Sequence, residues 1–205
     1  MTTSSIAQPP LFLAEVERSP KPSPYKDLLE AAKGSGGDSW QIWNLLAFDP
    51  ELAHHLAAMS HVIMHKVSPI STGLRELIAA YTSSLNRCEF CMKAHAAVAA
   101  ELLRDEALVW SVLHDLEKSA LPENEKALLR FIGKVTLDSA SIIQSDIEHL
   151  HAAGWQDDAI FYAISACALF NFYNRWVSAS GVHPVSDDVV RRLASRMARS
   201  GYNRE

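Results

Sequence analysis

The chain has 205 residues, 48% hydrophobic and 21% charged, with a formal net charge of −5 at pH 7; these proportions suit one globular domain, or one domain with an arm. The acidic balance offers no basic face for nucleic acid, and no run of Lys or Arg suggests a membrane surface. No apolar run approaches the roughly 18 residues of a membrane span, and the first residues lack the charged and apolar regions of a signal peptide, so a cytoplasmic location is expected.

Residues 1–24 are rich in Pro and Ser and cannot form a packed unit alone. They read as an N-terminal arm, whose Leu11-Phe12-Leu13 insert can dock on the remainder or stay mobile with it. Residues 25–205 read as a single all-helical domain. A helix from about Tyr25 to Ala32 ends in Gly34-Ser35-Gly36-Gly37. Asp49-Pro50-Glu51 supplies a cap, a first-turn proline and an acid for the next helix, which carries Leu52, Leu56 and Met59 to about Lys66. Ser68-Pro69 breaks it, and Ser71 or Thr72 caps a helix with Leu74, Leu77, Ile78, Tyr81 and Leu85 on one face.

From Cys88 an alanine-rich helix runs to Leu103, a composition that permits close helix approach. Asp105 caps a helix to about Leu116, and Pro122-Glu123 begins another. Ser145-Asp-Ile-Glu148 reads as a capping box for a short helix stopping at Gly154. A long apolar helix spans about Asp157 to Ser180, and Ser186-Asp187-Asp188 opens the last one, ending before Gly201. No strand alternation competes, so the expected class is all-α.

Cys88-x-x-Cys91-x-x-x-His95 concentrates the chemistry. At about 100° per residue the two thiols and the imidazole fall within roughly 60° around one helix. Residues three apart on a helix satisfy disulfide geometry, and a helix start favours a thiolate. Glu76, on the preceding helix, is placed to orient His95 if the helical hairpin brings them together. The same residues suit zinc, although no second Cys/His pair stands at ligand spacing. Redox chemistry is preferred to a metal site or incidental packing, and all three readings stay open on spacing alone.

Glu76, Cys88, Cys91 and His95, with eleven residues between the first two, resemble the signature of the alkylhydroperoxidase D / carboxymuconolactone decarboxylase family. The stretches 45–52, 74–78, 85–91, 94–97, 121–129, 152–155 and 169–175 resemble its peroxidase-related branch, so the likeness covers roughly residues 40–184. It implies an AhpD-like fold of about eight helices, a homo-oligomer (trimer, hexamer or dimer), and reduction of a hydroperoxide through a reversible dithiol. By position, Cys91 would be the peroxidatic cysteine, Cys88 the resolving one, His95 the proton acceptor and Glu76 its support, with no cofactor or metal and an external dithiol or thiol as reductant. Phe90 stands where the best-known members carry a second histidine, which implies a simpler proton relay. The alternatives are another disulfide oxidoreductase, a redox- or metal-sensing helical oligomer, or a lactone decarboxylase on the same fold, whose members generally lack the cysteine pair.

Other residues invite blander readings. Cys167 sits in an apolar helical run and reads as a buried inert thiol. His54, His55, His61 and His65 read as solvated helix histidines, although one of them can edge the site entrance. Asn171, Asn174 and Arg175 read as satisfying polar groups between packed helices or subunits, with a substrate-facing polar patch as the alternative. Trp40, Trp43, Trp110 and Trp155 read as core or interface anchors.

Overall fold

Capping residues and breakers divide the chain where they stand. In the computed structural model, which describes residues 8–34 and 39–202, Asp49 accepts from Leu52 N, Ser71 from Leu74 N and Asp105 from Leu108 N. These side chains satisfy first-turn amides that a helix leaves unpaired. The helices are α1 (Ala14–Arg18), α2 (Pro24–Gly34), α3 (Ile42–Phe48), α4 (Pro50–His65), α5 (Thr72–Leu85) and α6 (Glu89–Leu103). They continue as α7 (Glu106–His114), α8 (Glu123–Asp138), α9 (Gln144–Ala152), α10 (Asp157–Ser180) and α11 (Asp187–Ser200).

The described residues thus form eleven α-helices, against the expected eight or so. Two were missed because they are short: α1 lies inside the Pro-rich arm, and α3 has only two turns between residues that break helices. A second correction concerns α9. Its N-cap is Ile143, not Ser145, and Asp146 reaches back to accept from Ile143 N at 2.8 Å. The acid therefore supplies half of a capping box without a hydroxyl partner.

Helix α5 is the centre of the molecule, and ten of its fourteen residues are buried. Leu77, Ile78, Ala79 and Ala80 are wholly enclosed, and each of the two larger side chains contributes about 1.5–3 kcal/mol by burial. Arg87 takes a left-handed conformation (φ 56°) and turns the chain into α6. The hairpin is antiparallel: Gly73 near the start of α5 lies against Leu103 at the end of α6. A Cβ on Gly73 would sit 2.7 Å from Leu103 Cδ2, so glycine permits this close approach.

Two apolar clusters flank the hairpin. One gathers α5, α7, α8 and α10 around Leu77, Leu128, Ile132 and Phe170. The other gathers Leu11, Tyr25, Trp40, Trp43, Cys88, Phe90, Cys91 and Met197. The arm therefore packs from residue 8 onward: Leu11 is buried, and Phe12 N donates to Ser180 O at 3.0 Å. Gln41 bridges the chain ends of this layer, donating to Pro9 O and accepting from His183 N. Residues 1–7 of the arm, and three of the Gly34–Gly37 breaker's four residues, lie outside the described residues.

Candidate active site

Cys88 is the N-cap of α6 rather than its first helical residue, with φ −90° and ψ 88°. Cys91 lies in the first turn, and both thiols are 3% exposed and free. They hydrogen-bond to each other, and Asn174 reaches both while Ser178 reaches Cys88. Donation from Cys91 is the main cause that lowers Cys88 to about 6, with burial opposing it. Cys91 is pushed well up, first by holding that hydrogen bond and then by burial. The first negative charge of the pair therefore rests on Cys88, with Cys91 keeping the shared proton.

The return of the hairpin brings Glu76 and His95 together. Glu76 Oε2 lies 2.6 Å from His95 Nδ1, and the carboxylate is completely buried. A buried carboxylate requires compensation. The neighbouring Arg75 supplies positive charge, itself 2% exposed and donating to Ile63 O and Lys66 O at the end of α4. Those bonds also fasten the C-terminus of α4, whose His65 Nε2 comes within 3.9 Å of Glu76 Oε1. The Tyr202 hydroxyl occupies the other side of that oxygen, donating to Oε1 at 2.9 Å and lying 3.2 Å from His95 Nδ1. Phe170 meets the imidazole edge-on at 4.3 Å between centroids.

A cavity of about 100 Å³ joins the two halves, bordered by both Cys91 and His95. Its walls are largely aromatic: Trp40, Trp43, Phe90, Phe170, Tyr173 and Tyr202. Phe90 packs edge-on against Trp40, with centroids 5.3 Å apart. Of the two thiols, Cys91 faces this space. No direct hydrogen bond joins His95 to either thiol among the described residues, so a proton passing between Cys91 and His95 must use a molecule in the cavity.

This combination of an all-helical body, a helix-start thiol pair and a Glu–His pair has relatives. Residues 50–108, which hold all four of those side chains, match the model of the carboxymuconolactone decarboxylase family. The likeness to that family lies in this stretch of the chain. A search of curated proteins returns no match. Among solved structures, an uncharacterized peroxidase-related protein from Silicibacter sp. TM1040 is 28% identical, with a TM-score of 0.72 over 82% of this chain and 88% of that one. A second such protein, an alkylhydroperoxidase AhpD core from Ralstonia eutropha JMP134, is 24% identical, also with a TM-score of 0.72, over 85% and 90%. The debrominase Bmp8 is 20% identical, with a TM-score of 0.61 over 73% and 78%. The architecture is AhpD-like.

The four side chains singled out from the sequence lie along one buried layer of α5 and α6. The Glu76–His95 contact, uncertain from spacing, is made. Cys167 is buried as expected, beside Thr136 Oγ1 at 3.3 Å, and burial raises its thiol. The expectation of solvated histidines holds for His54 and His55, which are exposed, and fails for His61 and His65. Those two stack on each other, and His61 Nδ1 and His65 Nε2 are buried without hydrogen-bond partners. Helix periodicity placed them on one face, but only the docking of the C-terminal tail covers that face.

Asn174 does satisfy polar groups between helices, donating to Ser83 Oγ and accepting from Asn86, and it contacts the thiols as well. Tyr202 was missed entirely. Nothing local marks a tyrosine more than a hundred residues beyond His95 as its neighbour. Among the described residues no three His, Cys, Asp or Glu side chains gather into a metal site. No helix among them is long and apolar enough to cross a membrane.

Proposed function

We propose that this chain is a dithiol oxidoreductase that reduces hydroperoxides at Cys91 and Cys88. The observation that supports the reading best is a buried thiol pair at the start of α6, with one sulfur bordering a cavity of largely aromatic walls. Cys91 is assigned the attack because it borders the cavity, and the Cys88 thiolate accepts the Cys91 proton as attack begins. A bond forms between Cys91 Sγ and the terminal peroxide oxygen while the O–O bond breaks. The departing alkoxide is protonated from the cavity side, where His95 takes up a solvent proton at its free ring nitrogen and passes it on.

Cys91 is then a sulfenic acid. Cys88 loses its proton and attacks Cys91 Sγ, releasing water and closing the disulfide. Two electrons pass from the two thiols to the peroxide, and an external dithiol returns them by exchange. Phe90 adds an apolar wall rather than a second imidazole, so the relay consists of Glu76 and His95 with whatever the cavity holds.

The test is peroxide consumption with a dithiol reductant. Cys91→Ser is expected to abolish turnover, and Cys88→Ser to leave a sulfenic acid at Cys91 that a dimedone probe traps. Full turnover by Cys91→Ser would overturn the assignment.

The aromatic walls support a second reading in which the same dithiol reduces a halogenated aromatic ring. The likeness to a debrominase, solved as a Cys→Ala variant with 2,3,4-tribromopyrrole, points the same way. The two thiols would supply two electrons, the ring would exchange halogen for hydrogen, and halide would leave. Halide release from a brominated pyrrole with dithiol, set against peroxide loss in parallel, separates the two readings.

A further inference from the structure

Helix α11 ends at Ser200, and the next residue reverses the chain toward the interior. Gly201 adopts φ 65° and ψ −151°, a conformation open chiefly to glycine. A Cβ there would stand 3.0 Å from His61 Nδ1 and 3.0 Å from His65 Cγ. The turn is thus fitted against the α4 histidines, and it delivers Tyr202 to the buried Glu76–His95 pair.

The contacts of Tyr202 have a consistent proton arrangement. Its hydroxyl donates to Glu76 Oε1 at 2.9 Å, while His95 Nδ1 lies 2.6 Å from Oε2 and 3.2 Å from the phenol oxygen. The phenol proton is committed to the carboxylate, so its oxygen can only accept from the imidazole. The Nδ1 proton is then shared between carboxylate and phenol, and the Nε2 lone pair is left free. The ring lies nearly parallel to His95 (interplanar 10°, centroids 6.1 Å) and edge-on to His65 at 5.6 Å.

We propose that Tyr202 is a positioning residue of the thiol centre, holding Glu76 and His95 so that the imidazole keeps Nδ1 protonated and offers Nε2 to the cavity. The proposal rests on the thiol-peroxidase reading for its kinetic consequence but not for its geometry. The groups facing the phenol are Glu76 from α5, His65 from α4, Cys91 and His95 from α6, and Tyr173 from α10. Burial and the Glu76 charge push the phenol well above its ordinary range, which keeps it a donor throughout the working pH range.

Tyr202→Phe removes the hydroxyl and retains the ring. Long-range ¹H–¹⁵N correlation of the histidine rings is expected to show a single Nδ1–H tautomer of His95 in the parent and a mixture in the variant. Disulfide closure on one equivalent of hydroperoxide is expected to slow by about tenfold, a part of the 10²–10⁴-fold typical of acid–base catalysis, with its pH profile displaced. Tyr202→Phe with the parent's tautomer and pH profile would overturn the proposal. A parent that forms no disulfide with peroxide would instead sink the peroxidase reading, and the tautomer measurement would still decide the role of Tyr202.

Discussion

The two cysteines have nearly equal burial and opposite acidities, and the difference comes from position. Cys88 caps α6 and receives donors from Cys91, Asn174 and Ser178, so its anion is stabilised. Cys91 is the donor in the same pair and keeps its proton. Because the Cys88 value is lowered to about 6, thiolate is expected above that pH and to vanish as the pH falls through it. Absorbance near 240 nm, followed against pH, checks this directly. Cys91→Ala deletes the largest cause, so the Cys88 step is expected to move up toward the ordinary thiol range. The spacing of Cys88 and Cys91 was legible in the sequence, but the direction of their hydrogen bond was not, since it depends on Asn174 and Ser178 from α10.

At the scale of elements, the long helix α10 carries the amide that reaches the thiols and ends where the arm attaches. Gly181 closes α10 with φ 79°, and a Cβ at that point would lie 2.8 Å from the backbone N of Phe12. That amide is the one that donates to Ser180 O. Gly181→Ala is therefore expected to cost about 1–2 kcal/mol from the left-handed conformation alone. Displacement of residues 11–13 adds to that cost. Denaturant unfolding measures the loss, and unchanged stability would mean that the arm does not seat on this turn. The sequence announced a stop at Gly181; that the arm packs over the stop depends on a contact between residues far apart in the chain.

For the whole molecule, the site is a layer between the α5–α6 hairpin and segments from both ends of the chain. Leu11, Tyr25, Trp40 and Trp43 close it from the N-terminal side, and Met197 and Tyr202 from the C-terminal side. Leu11→Ala is expected to destabilise the fold by about 2–4 kcal/mol, as truncation of a buried leucine does. It should also loosen the cavity, read as faster alkylation of Cys91 by a bulky maleimide. A variant that loses stability without any change in alkylation would separate the arm from the site.

The spacing of the site residues and most helix boundaries, those of α1, α3 and the start of α9 excepted, were determined by the sequence alone, because caps, breakers and 3.6-residue periodicity act over a few residues. That local reading includes the hairpin that carries Glu76, Cys88, Cys91 and His95. Burial of Glu76, partial burial of His61 and His65, the aromatic cavity and the arrival of Tyr202 were decided only by the tertiary structure. Each of these depends on segments more than ten residues apart meeting across the core, and local propensity does not encode which distant surface covers a given helix face.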